Sequence, residues 1–461
     1  MADQKSPAKN KAESETAGPS PSRRSFLKNS SLLLAGGAVA GQLSVARGAH
    51  AYGSDTIKLG LVGCGGRGTQ ATMQALNTCL SEFGSTGGEV QLVAMADAFE
   101  DRMTASLRGI KSKHGERVSP DVGRFVGLEA YKDVMNSDCD VVILATPPGF
   151  RPLHFETAVN AGKHVFMEKP VATDAPGIRR VLAANEVAKK KGLAVQVGLQ
   201  RHHEFRYKEC VDRLQNGAIG DFVMGRAYWN GAGVWVNPRK PEQTETEYQM
   251  RNWYYFNWLC GDHITEQHIH NLDVINWVMD GYPVKAQGQG GRQVRTGPDS
   301  GQIYDHHFVE FTYDNGTTML SQCRHQPRCW NQVSEFIHGT KGWCDISAAK
   351  IYDLDNNLVW ESDASEVNGK GWQQEHIDLF AELRKGNIPN EGEYGAKSTM
   401  TSIMGRMATY SGKVVNWDQC LNSEEALADF DAITSLDVEA PVKPDEDGKY
   451  PIAMPGKYTV G

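Results

Sequence analysis

Ile57-Lys58-Leu59-Gly60-Leu61-Val62 runs directly into Gly63-Cys64-Gly65-Gly66-Arg67-Gly68. The first six residues read as a short buried strand. The next six have GxGxxG spacing and open a helix-like pattern over 67–82. In that setting glycine has a mechanism. The chain turns tightly, its backbone approaches a ligand closely, and the helix N-terminus holds a pyrophosphate. Glycine-rich turns are common, so the weight comes from the position between strand and helix.

Working outward, Val90–Ala96 forms a second strand with a helix near 99–113. Asp140–Thr146 is a third, followed by a helix at 152–161, a strand at His164–Met167, a helix at 174–191 and a strand at Ala194–Gly198. Strand–helix alternation of this kind means a parallel, doubly wound sheet, a Rossmann domain over 55–200. Asp97 ends the second strand, where a carboxylate takes both ribose hydroxyls of NAD and disfavours NADP. It lies further from the turn than usual, and the Gly84–Gly88 loop accounts for the excess. The bland alternative is a strand-end cap.

From 201 to 420 the pattern changes. Strand-like runs at 221–236, 303–313, 316–325, 331–338 and 342–347 are separated by turns such as Asp314-Asn315-Gly316, which predicts a mainly antiparallel open sheet in an α+β domain. Helices are expected at 203–216, 262–280, 372–385 and 396–413. The polar stretch 231–252 reads as a loop over the site, and 421–461 as a tail packing on the surface.

Two further motifs carry chemistry. Glu168-Lys169-Pro170 closes a parallel strand, where ligands of open sheets sit, and a lysine there can move a proton at a carbon-bound oxygen. On one continuous helix, Asp262, Glu266, His270 and Asp273 share a face, so Glu266 and His270 pair at i and i+4. Three histidines and three carboxylates within 262–273 raise the question of zinc. The spacing is not HExxH and His268 points off the face, so no metal site is expected.

These residues together resemble the Gfo/Idh/MocA oxidoreductases, over about 56–420. The resemblance rests on the 60–68 turn, on Thr146-Pro147 through His154 and Ala161–Val165 to Glu168-Lys169-Pro170, and on the 262–283 segment ending Trp277…Gly281-Tyr282-Pro283. It implies an NAD-dependent dehydrogenase acting on a ring secondary alcohol of a sugar or polyol. It also implies a cofactor set of Gly63, Gly65, Gly66, Arg67, Gly68, Asp97, Thr146, Pro147, His154, Glu168 and Lys169. Lys169 and the Glu266/His270 pair match the catalytic residues. Glu266 would orient the imidazole, and the formal base, Lys169 or His270, stays open. The chain departs from the family pattern in placing Glu266 for aspartate and His268 for glycine. Trp235, Trp253, Tyr254, Tyr255 and Trp258 offer flat surfaces for a sugar or for ordinary core packing.

Composition bounds the partners. Forty-eight basic against 56 acidic side chains give −8, which does not favour nucleic acid or anionic membrane. Ser22-Arg23-Arg24-Ser25-Phe26-Leu27-Lys28, a modest apolar stretch and Ala49-His50-Ala51 read as a twin-arginine export signal over 1–51, sending the chain to the periplasm or beyond. Beyond residue 51 the balance is 41 basic to 53 acidic, or −12, which suits a small-molecule substrate. Nine scattered cysteines without a CxxC pair read mostly as small buried hydrophobes. Outside the cytoplasm no NAD pool is assured, so the cofactor should be tightly held and the cycle redox-neutral. Two such cycles are one sugar oxidised as another is reduced, or glycoside hydrolysis through transient oxidation. A sugar-binding protein that has lost its activity is the non-enzymatic alternative. A homo-oligomer built on the open sheet is a further expectation.

Overall fold

The computed structural model describes residues 56–364 and 371–461; the leader expected at 1–51 lies outside them. The first half comprises β1 (Thr56–Val62), α1 (Gly66–Asn77), β2 (Glu89–Asp97), α2 (Glu100–His114), β3 (Val118–Val126), α3 (Tyr131–Asn136), β4 (Val141–Leu144), α4 (Arg151–Asn160), β5 (His164–Met167), α5 (Ala175–Lys191) and β6 (Val195–Val197). The strands form one parallel sheet in the order β3-β2-β1-β4-β5-β6. Order reverses between β1 and β4, which opens a crevice at the strands' carboxyl ends. β4 and β5 are buried at every residue, as a sheet covered on both faces requires. α5 shows the terminal chemistry plainly. Asp174 accepts from the Gly177 N–H at 2.8 Å, Gly192 takes φ 65°, and Lys189–Lys191 fill the last turn.

β3 was not legible in the sequence. Pro120 cannot donate to a ladder, and the strand survives because it lies at the sheet edge. α1 is also shorter than expected, stopping at Asn77.

The second half adds α6 (Phe205–Gln215), β7 (Phe222–Gly231), α7 (Glu245–Arg251), α8 (Asn257–Cys260), α9 (His263–Glu266), α10 (Ile269–Met279), β8 (Lys285–Gly291), β9 (His306–Thr312), β10 (Thr318–His325), β11 (Gln332–Gly339), β12 (Gly342–Asp345), β13 (Lys350–Asp353), β14 (Leu358–Glu361), α11 (Gly371–Lys385), α12 (Gly392–Ser411), β15 (Val415–Asn416) and α13 (Trp417–Leu421). Nine strands pair as β14-β13-β12-β11-β7-β10-β9-β8-β15, antiparallel except at β7/β10. β8 escapes sequence reading because it is glycine-rich. A Cβ at Gly288 would lie 2.5 Å from the Phe308 carbonyl and 3.1 Å from Thr409 of α12, so strand and helix pack backbone-close. α12 is buried through most of its length and packs against both α5 and β8.

Two expectations change here. The stretch 231–252 is not all loop, since it contains α7. The helix expected over 262–280 is interrupted: Asp262 stands at φ 72° as N-cap of the single turn α9, and helix resumes only at Ile269. No helix among the described residues is long and apolar enough to cross a membrane.

Candidate active site

The glycine turn leaves β1 at the crevice. Two of its glycines are required by the protein itself. Gly63 stands at φ 98°, with an added Cβ 2.6 Å from the Ala145 backbone, and a Cβ on Gly68 would be 1.9 Å from the Gly63 carbonyl oxygen. Gly65 and Gly66 differ, for a Cβ on either meets nothing within 4 Å. Both line a cavity of about 460 Å³ that also touches Asp97, Thr146, Pro147 and His154. An open cradle at the uncapped N-terminus of the twelve-residue α1 fits a dinucleotide pyrophosphate.

Asp97 lines the same cavity and caps the turn. Its Oδ2 accepts from the Cys64 N–H at 2.6 Å and its Oδ1 from the Phe99 N–H at 2.8 Å. Burial raises its pKa against the pull of these bonds and of Arg102. The strand-end cap and the cavity-facing carboxylate are therefore one residue with spare lone pairs. Phe99, Arg102 and Tyr131 also line the cavity and escaped the sequence reading. The signal that could have found two of them was their place directly after the β2 carboxyl end.

Past β4, Thr146 Oγ1 and His154 Nδ1 are 3.1 Å apart, and the His154 ring lies 4.3 Å from that of Tyr131. Burial, with Arg151 and Arg180 nearby, pushes His154 down to about 3, so the imidazole is neutral. Arg151, fully buried, donates to the Leu144 carbonyl and, at 2.8 Å, to that of Thr146. It props the strand end from behind, and no motif pointed to it.

The catalytic candidates are connected, though not as expected. Arg67 Nε donates to Glu168 Oε1 at 2.5 Å, tying the glycine turn to the β5 end. The next residue, Lys169, precedes a cis proline and reaches the second half of the chain, donating to the Glu266 carbonyl and, at 3.1 Å, to its Oε1. Glu266 thus pairs with Lys169 and not, as i,i+4 spacing implied, with His270. The break between α9 and α10 removes the continuous helix face on which that pairing depended. The His270 ring stacks on Trp229 at 5.9 Å and its buried Nδ1 has no partner. Burial, then Lys169, Arg201 and Arg67, hold its pKa well below the ordinary imidazole range.

Asp262 and Asp273 leave the expected face altogether. Asp273 accepts from Ser398 at 2.6 Å and lies 2.8 Å from His202 Nε2. Asp262 is fully buried and accepts from the His263 N–H, the Tyr304 N–H at 2.9 Å and the Tyr410 hydroxyl at 2.6 Å. Asp262, His263 and His307 form the one group among the described residues with metal-ligand composition, their ligand atoms within 4.8 Å of one another. Those hydrogen bonds already occupy the carboxylate. Arg295, bonded to His325 at 2.6 Å, adds positive charge beside the stacked His263 ring. Asp262 is thus hydrogen-bonded within the core, while His263 Nε2 and His307 Nε2 are buried without a hydrogen-bond partner. His268 likewise turns into the core, 2.8 Å from Ser321.

The aromatic candidates divide. Tyr254, Tyr255 and Trp258 are buried core, whereas Trp235 and Trp253 line the dinucleotide cavity. Of the nine cysteines, seven are buried and none is disulfide-bonded.

Comparison with known proteins agrees with this fold. Residues 57–199 match the model of the oxidoreductase family with NAD-binding Rossmann fold, and 207–345 that of the GFO/IDH/MocA C-terminal domain. Inositol 2-dehydrogenase 3 of Saccharopolyspora erythraea is 28% identical over 232 residues, half of this chain and 56% of that protein. The match thus spans little more than half the length of that relative. The 1-carboxy-3-chloro-3,4-dihydroxycyclohexa-1,5-diene dehydrogenase of Comamonas testosteroni is 30% identical over 350 residues, 74% of this chain and 69% of that one. The crystal structure of scyllo-inositol dehydrogenase from Lactobacillus casei, solved with NAD(H) and scyllo-inositol, shares the fold at a TM-score of 0.59 and 21% identity. The match covers 79% of this chain and 99% of that one.

Proposed function

The chain belongs to the Gfo/Idh/MocA oxidoreductase family, and we propose that it oxidises a ring secondary alcohol of a sugar or polyol using a nicotinamide dinucleotide that it holds tightly. One observation carries the reading. Arg67 binds Glu168, and the adjacent Lys169 binds Glu266, so the dinucleotide turn and the polar 262–273 segment form one connected set. When bound, the dinucleotide supplies the hydride acceptor. Lys169, an ammonium held by a carboxylate with both side chains largely shielded, polarises the oxygen of the developing ketone. His270, kept neutral by burial and three nearby cations, is the imidazole that takes the departing hydroxyl proton in this reading, although its Nδ1 is sealed from solvent. Glu266 fixes the position of Lys169.

Tight retention follows from the sequence at 22–51. A chain exported through a twin-arginine route travels folded and meets no assured dinucleotide pool. A Kd near 1 nM, about −12 kcal/mol, keeps the site filled at sub-micromolar protein. The test is to purify the exported form without added nucleotide, gel-filter it, denature it and assay the supernatant. Near-stoichiometric dinucleotide is expected, with one sugar oxidised as a second is reduced, because a held dinucleotide must pass its hydride to a second carbonyl substrate before the next turnover. A protein that binds neither dinucleotide would defeat the reading. Release of an aglycone without net oxidation would replace it with hydrolysis through transient oxidation.

A further inference from the structure

The inner wall of the dinucleotide cavity is the Rossmann crevice, but its outer wall comes from 234–253, through Trp235, Asn237, Met250, Arg251 and Trp253. That segment is internally braced. Asn237 Nδ2 donates to the Arg251 carbonyl at 2.6 Å, and Tyr255 donates to the Val234 carbonyl at 3.2 Å. It meets the inner wall at Arg251, whose guanidinium stacks 3.9 Å from the Phe99 ring centre and lies 3.2 Å from Asp101 at the start of α2.

What holds this wall in place is the chain beyond α13. Residues 423–461 contain no helix or strand, yet they are anchored at both ends of the cavity. On the Rossmann side, Asp174 accepts from the Leu427 N–H at 2.8 Å, Asp431 pairs with Arg180 at 2.7 Å, and the Phe430 ring lies 5.0 Å from that of Phe150, a cavity-lining residue. On the outer-wall side, Thr244 and Gln249 donate to the Leu436 and Val442 carbonyls at 2.6 Å each. Tyr450 donates to Glu245, accepts from Arg239 at 3.0 Å, and packs its ring 4.9 Å from that of Phe256. One strap is therefore fastened to both walls of the cleft.

We propose that Trp235, Arg251 and Trp253 form a second, outer half of the dinucleotide site, and that the 423–461 strap latches this half shut. The cofactor then leaves only when the strap lets go. The proposal rests on the reading of this cavity as a dinucleotide site and supplies the structural cause of retention. Closure of this kind acts on the release rate more than on encounter.

The experiment measures NAD dissociation from the full-length holoprotein, chased with excess fluorescent dinucleotide. The variant Phe430→Ala/Asp431→Asn/Tyr450→Phe loosens the strap at both ends and changes no cavity-lining residue. Its off-rate should rise at least tenfold, whereas an off-rate within twofold of the unmodified protein overturns the latch. The second measurement needs no variant. Hydrogen exchange of the Leu436–Val442 peptide should be at least tenfold slower with NAD bound than in protein stripped of nucleotide, and equal exchange overturns the proposal. If the unmodified protein binds NAD but releases it within seconds, the latch fails while the oxidoreductase reading stands. If it binds no dinucleotide at all, both fail.

Discussion

Replacing Gly66 and Gly68 separately by alanine should divide the glycine turn into a binding part and a folding part. Gly66 is the first residue of α1, has no positive φ, and leaves an added Cβ with nothing inside 4 Å. Gly66→Ala therefore creates no clash and adds a better helix former, so its stability should stay within about 0.5 kcal/mol of the native chain. The methyl projects into the cradle where an anion approaches the helix N-terminus. Losing one charge-assisted backbone hydrogen bond there costs about 1.5–3 kcal/mol, or roughly tenfold to 150-fold in NAD affinity. Gly68→Ala behaves oppositely. Its Cβ would lie 1.9 Å from the Gly63 carbonyl oxygen, and neither backbone can yield without moving β1 or α1. That places it at or beyond the ~3 kcal/mol end of overpacking. Urea denaturation and calorimetric titration with NAD separate the two effects. If Gly66→Ala binds NAD as tightly as the native protein, or unfolds as readily as Gly68→Ala, the open turn is not the pyrophosphate cradle.

Two further outcomes follow from the site. Asp97→Ser should move selectivity from NAD towards NADP, because it removes the carboxylate that repels a 2′-phosphate and leaves Arg102 facing the same cavity. Equal affinity of the native protein for both dinucleotides, measured by titration, would count against Asp97 as the selector. Lys169→Ala and His270→Ala should each lower turnover about 10²–10⁴-fold with NAD binding preserved. Full activity in His270→Ala would show that its neutral, unpartnered ring has no part in proton transfer.

The first sheet was legible because parallel strands covered on both faces must be apolar throughout, and Val141–Leu144 and His164–Met167 carry little else than that demand. The glycine turn, Asp97 and Glu168-Lys169 were legible because each stands at the carboxyl end of such a strand. Legibility ended where tertiary partners set the local conformation. Asp262 adopts φ 72° under hydrogen bonds from Tyr304 and Tyr410, which are 42 and 148 residues away in sequence, so periodicity over 262–280 gave no sign of the break. β8 is held by how closely Gly288 lets α12 approach, which no propensity records. The strap is polar and irregular, and its anchors Phe430 and Tyr450 stand too far apart in sequence to form a pattern.

The break in the 262–280 helix also settles how charge is distributed in the site. On a continuous helix Glu266 would face His270 and favour the imidazolium. As folded, its carboxylate lies on Lys169, and His268 turns inward to Ser321 on β10. His270 is left buried beside cations with no carboxylate of its own, which keeps it neutral, while Lys169 is paired with the Glu266 carboxylate. In the proposed function the first group accepts a proton and the second stabilises negative charge on oxygen, a complementary pair for alcohol oxidation. An aspartate at 266, one methylene shorter, would reach Lys169 less readily. Lys169 does the reaching, since its ammonium donates to the Glu266 carbonyl as well as to the carboxylate 3.1 Å away, so the backbone of α9 would hold the lysine even where the side chain fell short.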